Sequence, residues 1–243
     1  MQDIFVTKIG MTQAWNTAGK RIAVTRCKTA PNLVVSSKES DTAGTFALTL
    51  GYGKKNLKNM KKPVRSQLAQ SGFAVGARFL RGTKFVATDE TTAPAVGSTV
   101  SALDVLSVGD VVKVQGTSKG RGFAGGVKRY GFKGGPKTHG QSDRTRAIGS
   151  IGAGTTPGRV YKGKRMPGHF GVDTVTVTGL VIVHVDPIEQ EIWIGGPVPG
   201  SISSSLRIRK QGKQKDVALD FASSGIKEPA AETVEPEPTE VTE

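Results

Sequence analysis

The hydrophobic positions of this chain fall into short runs that are rich in valine, isoleucine and threonine and are bounded by glycine, proline or aspartate. Runs of this kind are typical of strands in a barrel or sandwich. The predicted strands are 3–9, 21–27, 45–52, 110–114, 173–186, 191–194 and 206–209. Helical patterns occur only at 63–70 and 101–107. The sequence therefore predicts a mainly β fold with little helix.

One long segment departs from this pattern. Residues 116–171 contain sixteen of the 32 glycines of the chain, and twelve lysines and arginines against one acid, Asp143. Ordering so many glycines costs entropy, and few apolar side chains are available to offset that cost. We therefore expect this segment, called the arm below, to be mobile in the free protein. Nucleic acid is the scaffold that suits a cationic segment of this kind.

The charge of the whole chain indicates the same class of partner. The formal net charge is +14 over 243 residues, so the expected partner is a polyanion. The C-terminal residues 213–243 differ from the rest, because six glutamates and three prolines lie between residues 227 and 243. This composition predicts a disordered acidic tail.

Other classes of protein are disfavoured by the residues that the chain lacks. Cys27 is the only cysteine, so no internal disulfide can form, which suits a reducing cytoplasm. The densest apolar run, 180–183, is too short to cross a bilayer, and no membrane partner is expected. The three histidines have no second histidine or cysteine at ligand spacing, so we expect neither a metal nor a cofactor.

The arm supplies the candidate RNA-binding residues. Cations neutralise phosphates, and aromatic rings can stack on unpaired bases. The candidates for RNA contact are Lys119, Arg121, Lys128, Arg129, Lys133, Lys137, His139, Arg144, Arg146, Arg159, Lys162, Lys164, Arg165 and His169. The candidates for stacking are Phe123, Tyr130, Phe132 and Tyr161, for which packing within the protein is the alternative.

The arm also contains a literal G-x-G-x-x-G at residues 120–125. In a dinucleotide-binding unit the third glycine opens a helix that packs on a parallel sheet. Residues 127–140 have no apolar face for such packing, so a nucleotide-dependent enzyme is the weaker alternative and no catalytic residues or small-molecule substrate are expected. An RNA chaperone that is not part of a stable ribonucleoprotein particle is the other alternative, because its arm would need the same chemistry.

Several motifs of the chain resemble the ribosomal protein L3 family in its bacterial or organellar form. The matching segments are 8–13, 116–125, 128–132, 138–142, 149–152, 156–160 and 162–166. The resemblance runs with interruptions from about residue 1 to residue 210. It implies a structural constituent of the large ribosomal subunit rather than an enzyme.

The resemblance also implies an architecture. The body would be a β-barrel of the type seen in translation proteins, formed by residues 1–115 and 172–212, with a small α+β insertion at about 36–95. The arm, 116–171, would be a glycine-rich basic extension that reaches into large-subunit rRNA toward the peptidyl-transferase region. Members of the family join the subunit early in assembly and neighbour other large-subunit proteins. The resemblance therefore also implies that the protein is located in cytoplasmic ribosomes.

The chain departs from the family pattern at identifiable positions. Lys113 occupies a position before the arm where the family often has an acid. Ala153 follows 149–152, where some bacterial members carry a methylated glutamine, so that modification is not expected. The acidic segment after about residue 211 lies outside the family pattern.

Overall fold

The computed structural model describes residues 3–40, 44–87, 93–214, 216–217 and 219–225. Strands are the predominant regular structure of these residues and helices are few, which confirms the predicted mainly β character. The strands are β1 (Asp3–Asn16), β2 (Arg21–Lys28), β3 (Asn32–Glu39), β4 (Thr45–Lys55), β5 (Gly76–Val86), β6 (Thr99–Val100), β7 (Asp110–Thr117), β8 (Phe123–Ala124), β9 (Gly168–His169), β10 (Thr174–Asp186), β11 (Glu191–Gly195), β12 (Ser205–Gln214) and β13 (Leu219–Asp220). The helices are α1 (Lys62–Gln70), α2 (Gly126–Tyr130) and α3 (Phe221–Ser224), with a 3-10 turn at Leu57–Asn59. Within the described ranges, no helix has the length and apolar character needed to cross a membrane.

Six strands of the body are hydrogen-bonded in a closed cycle. Their order is β12, β7, β10, β11, β2 and β1, and β1 pairs back onto β12. Strand β1 pairs with β12 over residues 3–7 and with β2 over residues 7–15. A register shift between Lys8 and Gly10 lies where β1 passes from one neighbour to the other. Bulges of this kind increase the local twist that a closing sheet requires.

The apolar side chains that alternate along these strands fill the enclosed space. This core contains Ile4, Val6, Cys27, Val112, Val114, Ile182, Ile192, Ile194, Leu206 and Ile208. Residues 102–106 close over the core with Ala102 and Leu106. The helix predicted at 101–107 is wrong, because these residues form turns in which the side chains of Ser101 and Asp104 accept local backbone N–H groups.

A second sheet, called the insertion sheet below, lies between β2 and β7 in the chain. Its strand order is β5, β4, β3, β6. Helix α1 packs on this sheet through Leu68, which contacts the cluster of Val35 and Ala77. The helix predicted at 63–70 is therefore confirmed. The strands of this sheet lie between residues 32 and 100, and the insertion was predicted at about 36–95.

The insertion sheet packs on the outer side of β1. Phe5 points away from the core of the body and packs with Val34, Leu50 and Tyr52 of the insertion sheet. Beside it, the fully buried carboxylate of Asp3 accepts a hydrogen bond of 3.1 Å from the hydroxyl of Thr83 in β5. The two parts of the body therefore share both an apolar and a polar contact.

The C-terminal part of the described chain forms a clasp, defined here as β13 and α3. Strand β13 pairs with the end of β1, and Leu219 is buried against Trp193 and its neighbours. The ring of Phe221 lies 5.7 Å from the ring of His184, which is buried in β10. The end of β12, together with β13 and α3, occupies parts of 213–225, where the sequence predicted the start of an acidic tail. Residues 226–243 lie outside the described residues.

Candidate nucleic-acid interface

The base of the arm continues the pairing of β7 with β10. Thr117 lies opposite Thr174 at the edge of the body. Further out, the N–H of Arg121 donates to the carbonyl of Phe170 at 2.8 Å, and β8 pairs with β9. The arm therefore leaves and re-enters the body as a narrow antiparallel ladder that fixes its direction.

Close backbone contacts within the arm depend on glycine. Gly171 has φ +82°, and a Cβ there would overlap the carbonyl oxygen of Lys119 on the opposite side of the base. Further along, the N–H of Gly135 donates to the carbonyl of Thr145 at 3.0 Å, and a Cβ at Gly134 would overlap that same carbonyl oxygen. Part of the glycine content of the arm therefore serves its own folding, because L side chains are strained or excluded at these positions.

The short helix α2 lies in the outgoing half of the arm and contacts the returning half. It ends at Gly131, which has φ 72°. Arg129 is half-buried, and its guanidinium donates to the carbonyl of Met166 at 3.0 Å and lies 5.0 Å from the ring centre of Tyr130. Arg129 thus has a structural contact that the sequence did not predict, and its phosphate contact remains a prediction.

The other eleven lysines and arginines of the arm are exposed. They are Lys119, Arg121, Lys128, Lys133, Lys137, Arg144, Arg146, Arg159, Lys162, Lys164 and Arg165. Arg144 lies 3.9 Å from Asp143, but both side chains are at least three-quarters exposed, and such a pair contributes little. Among the described residues, no other arm cation forms an ion pair. The arm therefore presents a largely uncompensated positive charge to its surroundings.

The four candidate stacking residues fall into two groups. Phe123 is 77% exposed and Tyr161 is 63% exposed, so both rings are open to a base. Tyr130 and Phe132 are half-buried and lie 5.9 Å apart, and Arg165 lies 5.7 Å from the ring centre of Tyr130. The second pair already has packing partners within the protein, which supports the packing alternative for it.

The histidines also differ in their surroundings. His139 is exposed and has a positive φ of 61°, and His169 is exposed in β9. Both are accessible to a ligand of the arm. His184 is buried between the rings of Trp193 and Phe221, and burial lowers its pKa, so its role in the fold is structural.

The structure reveals a further group of cations that sequence reasoning missed. Arg207 and Arg209 of β12 both bind the carboxylate of Asp3, and Lys113 of β7 lies directly opposite Arg209. The signal in the sequence was the alternation of arginines with Leu206 and Ile208, which places the arginines together on the outer face. The pairing of β12 with β7 could not be deduced from that pattern.

The geometry does not suit the enzymatic alternative. Within the G-x-G-x-x-G at 120–125, residues 123–124 form β8, which pairs antiparallel with β9, and α2 has five residues, so no βαβ unit surrounds the motif. Burial raises the pKa of the Cys27 thiol to about 12, which leaves it protonated and unreactive at neutral pH. Among the residues that the structure describes, no group of three histidine, cysteine or acidic side chains is placed to hold a metal.

A mainly β body with an exposed cationic arm is typical of the class of proteins that bind nucleic acid. Comparison with known proteins gives the family. Residues 78–197 match the model of the family described as ribosomal protein L3.

Relatives along most of the chain carry the same description. The chain is 43% identical over 213 residues to the large ribosomal subunit protein uL3 of Herpetosiphon aurantiacus, which covers 88% of this chain and 98% of the relative. It is 44% identical to the uL3 protein of Trichormus variabilis, and the match covers 86% of this chain and 98% of that relative. It is 42% identical to the uL3 protein of a Dehalococcoides mccartyi strain, and the match covers 88% of this chain and 100% of that relative. The chain therefore belongs to the ribosomal protein L3 family, a family of structural ribosomal proteins, as its motifs predicted.

Proposed function

We propose that this chain binds large-subunit rRNA directly and that its arm is the main contact. The proposal rests on one observation above all: eleven of the twelve arm cations are exposed, and Asp143 alone among the described residues pairs with any of them. Exposed like charges repel one another unless a polyanion neutralises them. Folded RNA supplies that polyanion at the required density.

The shape of the arm supports the same proposal. Its ladder at the base fixes where the arm leaves the body, and every residue from 149 to 165 is exposed. A segment that buries so little of its own surface gains stability only by contact with something else. The arm reaches into the rRNA toward the peptidyl-transferase region in this proposal, and the rRNA orders it during early assembly.

The body has a separate role in the proposed function. Its core is complete without the arm, since the closed cycle of six strands and residues 102–106 enclose it. The body, a barrel of the translation-protein type, anchors the protein at the surface of the subunit and touches neighbouring large-subunit proteins. The complex is part of cytoplasmic ribosomes. A ribosomal role is favoured over that of an RNA chaperone because relatives along 86–88% of the chain are named as large ribosomal subunit proteins.

The salt dependence of binding tests the arm as a phosphate-binding element. If about six arm cations contact phosphate, the logarithm of the affinity for a large-subunit rRNA fragment falls with the logarithm of the salt concentration at a slope of roughly −4 to −5. Replacing Arg144, Arg146, Arg159 and Arg165 by alanine should reduce the magnitude of that slope by up to about three. Binding should weaken for many RNA sequences alike, because phosphate contacts carry no sequence information.

A matched variant outside the arm controls for total charge. Replacement of Lys20, Arg21, Lys28 and Arg65 by alanine removes the same number of exposed positive charges from the body. We expect this control to change the slope much less than the arm variant. Equal slopes for the arm variant and the unaltered protein, with both correctly folded, would remove the basis of the proposal.

A further inference from the structure

A cluster of cations surrounds Asp3 where the insertion sheet meets the body. The carboxylate of Asp3 has no exposed surface, and it accepts hydrogen bonds from both Arg207 and Arg209. The side chains of these arginines are 33% and 41% exposed. One negative charge therefore faces two positive charges, and the pair of arginines keeps a net positive charge at the surface.

A third cation adds to this excess. Lys113 lies directly opposite Arg209 in the pairing of β7 with β12, on the outer face of both strands. Like charges at directly opposite positions destabilise a sheet. No described acid forms an ion pair with Lys113. The Nε atom of Arg207 is also buried without a hydrogen-bond partner among the described residues. The cations of the cluster therefore outnumber its one acid, Asp3.

Three neighbouring cavities surround the cluster, and Arg207 lines all of them. A cavity of about 90 Å³ is lined by Asp3, Lys113, Gln115, Arg207 and Arg209. Two neighbouring cavities share Arg207 with it: one of about 820 Å³ lies along the insertion sheet, and one of about 160 Å³ leads to the base of the arm. Together these three cavities are called the junction groove.

The lining of the junction groove is strongly cationic. Of the described residues that line it, only Asp3 is acidic. The cations that line it are Lys38, Arg81, Lys84, Lys113, Arg207 and Arg209. At the end nearer the arm the groove is lined by Gly116, Thr117 and Thr174, which are the residues at which the arm leaves and re-enters the body.

From this geometry we infer that the junction groove is a second phosphate-binding site, which holds the sugar–phosphate backbone of an RNA strand that continues from the base of the arm. The inference rests on the proposed function of the arm. Phosphodiesters fit the groove because guanidinium groups bind phosphate in a planar, bidentate manner. Continuity with the arm favours RNA over an acidic segment of protein as the occupant.

Lysine reactivity in the complete protein tests this inference. The full chain is treated with an amine-acetylating reagent, alone and in complex with a large-subunit rRNA fragment, and modification is measured by mass spectrometry. We expect RNA to protect Lys38, Lys84 and Lys113 of the groove as well as the arm lysines. Lys20, which is exposed in the turn between β1 and β2, should react equally in both states.

The pattern of protection separates the two proposals. Protection of the arm lysines alone would overturn the groove as an RNA site and leave the proposed function intact. Protection of neither set would remove the proposed function itself. Groove lysines that are protected without RNA, and become reactive when residues 226–243 are deleted, would assign the groove to the acidic end of this chain. Stronger protection by a polyglutamate peptide than by RNA would assign it to an acidic protein partner.

A charge reversal distinguishes a binding role from a structural one. Lys113→Glu places an acid opposite Arg209, so the melting temperature should rise by about 1 to 3 °C as the like-charge pair becomes a favourable one. The same change should weaken rRNA binding and reduce the magnitude of the salt slope by at least about 0.7. Lys20→Glu makes the same charge change outside the groove and should do neither. Unaltered rRNA affinity in Lys113→Glu would overturn the inference.

Discussion

Asp3 shows how one buried side chain connects three strands of the body. Its carboxylate accepts hydrogen bonds from Arg207 and Arg209 of β12 and from Thr83 of β5. Burial would raise the pKa of Asp3, but the hydrogen bonds and charges of Arg209 and Arg207 outweigh it and lower the pKa below its usual value. A carboxylate whose pKa is lower in the folded state stabilises that state only while it is ionised.

The replacement Asp3→Asn should therefore destabilise the protein in a pH-dependent manner. At pH 7 we expect a loss of about 2–3 kcal/mol in the free energy of unfolding, since hydrogen bonds to a charged group are lost. This contribution is complete above the pKa of an unfolded aspartate, about 3.9, and disappears as the pH falls through the lower folded value. The difference between the two proteins should thus shrink from about pH 5 downward in chemical denaturation experiments.

The exposed Asp173 provides the control for this pH series. Asp173→Asn changes the net charge identically, and its side chain makes none of the contacts of Asp3. We expect the stability of this variant to follow that of the unaltered protein at each pH. A constant stability difference for Asp3→Asn between pH 7 and pH 3 would show that the ion pairs with the two arginines do not stabilise the fold.

The side chains of the arm illustrate what residue types alone can predict. Their chemistry can be deduced from the sequence, because lysine, arginine and tyrosine keep their charge or ring in any conformation. Their surroundings cannot, because an irregular segment has no hydrophobic period from which to deduce which side is buried. For this reason the internal contact of Arg129 with Met166, and the packing of Tyr130 with Phe132, were found only in the structure.

At the scale of elements, the strands with apolar alternation were predicted and those without it were missed. Strand β5 lies at the edge of the insertion sheet and carries Arg78, Arg81 and Lys84 at exposed positions. Its sequence therefore contains only a short apolar pattern. Strand β3 is apolar at one end and polar at the other, so the apolar pattern that would predict a strand is short. In both cases pairing with β4 fixes the strand, and this pairing is not visible in the local sequence.

The clasp gives a prediction at this scale. Leu219 is buried against Ala14, Val24, Val183 and Trp193. Because Leu219→Ala leaves a cavity among these side chains, it should lower the free energy of unfolding by about 2–4 kcal/mol. Thermal and chemical denaturation of the full chain measure this loss.

Deletion of residues 227–243 serves as the control for the clasp. It removes six glutamates and leaves β13 and α3 in place. We expect this truncation to unfold like the full chain and to enter the large subunit normally, since an acidic segment repels phosphate. The role of the clasp would be disproved if Leu219→Ala were as stable as the unaltered protein.

At the scale of the whole molecule, the body and the arm differ in how much surface they bury and how much charge they expose. The body encloses its own core, whereas the arm buries little surface and concentrates exposed charge. The sequence predicts this division because glycine density, charge and apolar content change together along the chain. The cyclic pairing of β1 with β12 was not predictable, because it joins residues about 200 positions apart and depends on the bulge near Lys8.

The central claim is that the arm is held by rRNA inside the large ribosomal subunit. A cryo-electron microscopy map of large subunits from cells that produce this chain tests it most directly. We predict continuous density for residues 116–171 surrounded by rRNA, with most of the exposed arm cations at ion-pairing distance from phosphates. An arm that lies in solvent or along another protein, or subunits that lack this chain, would contradict the account.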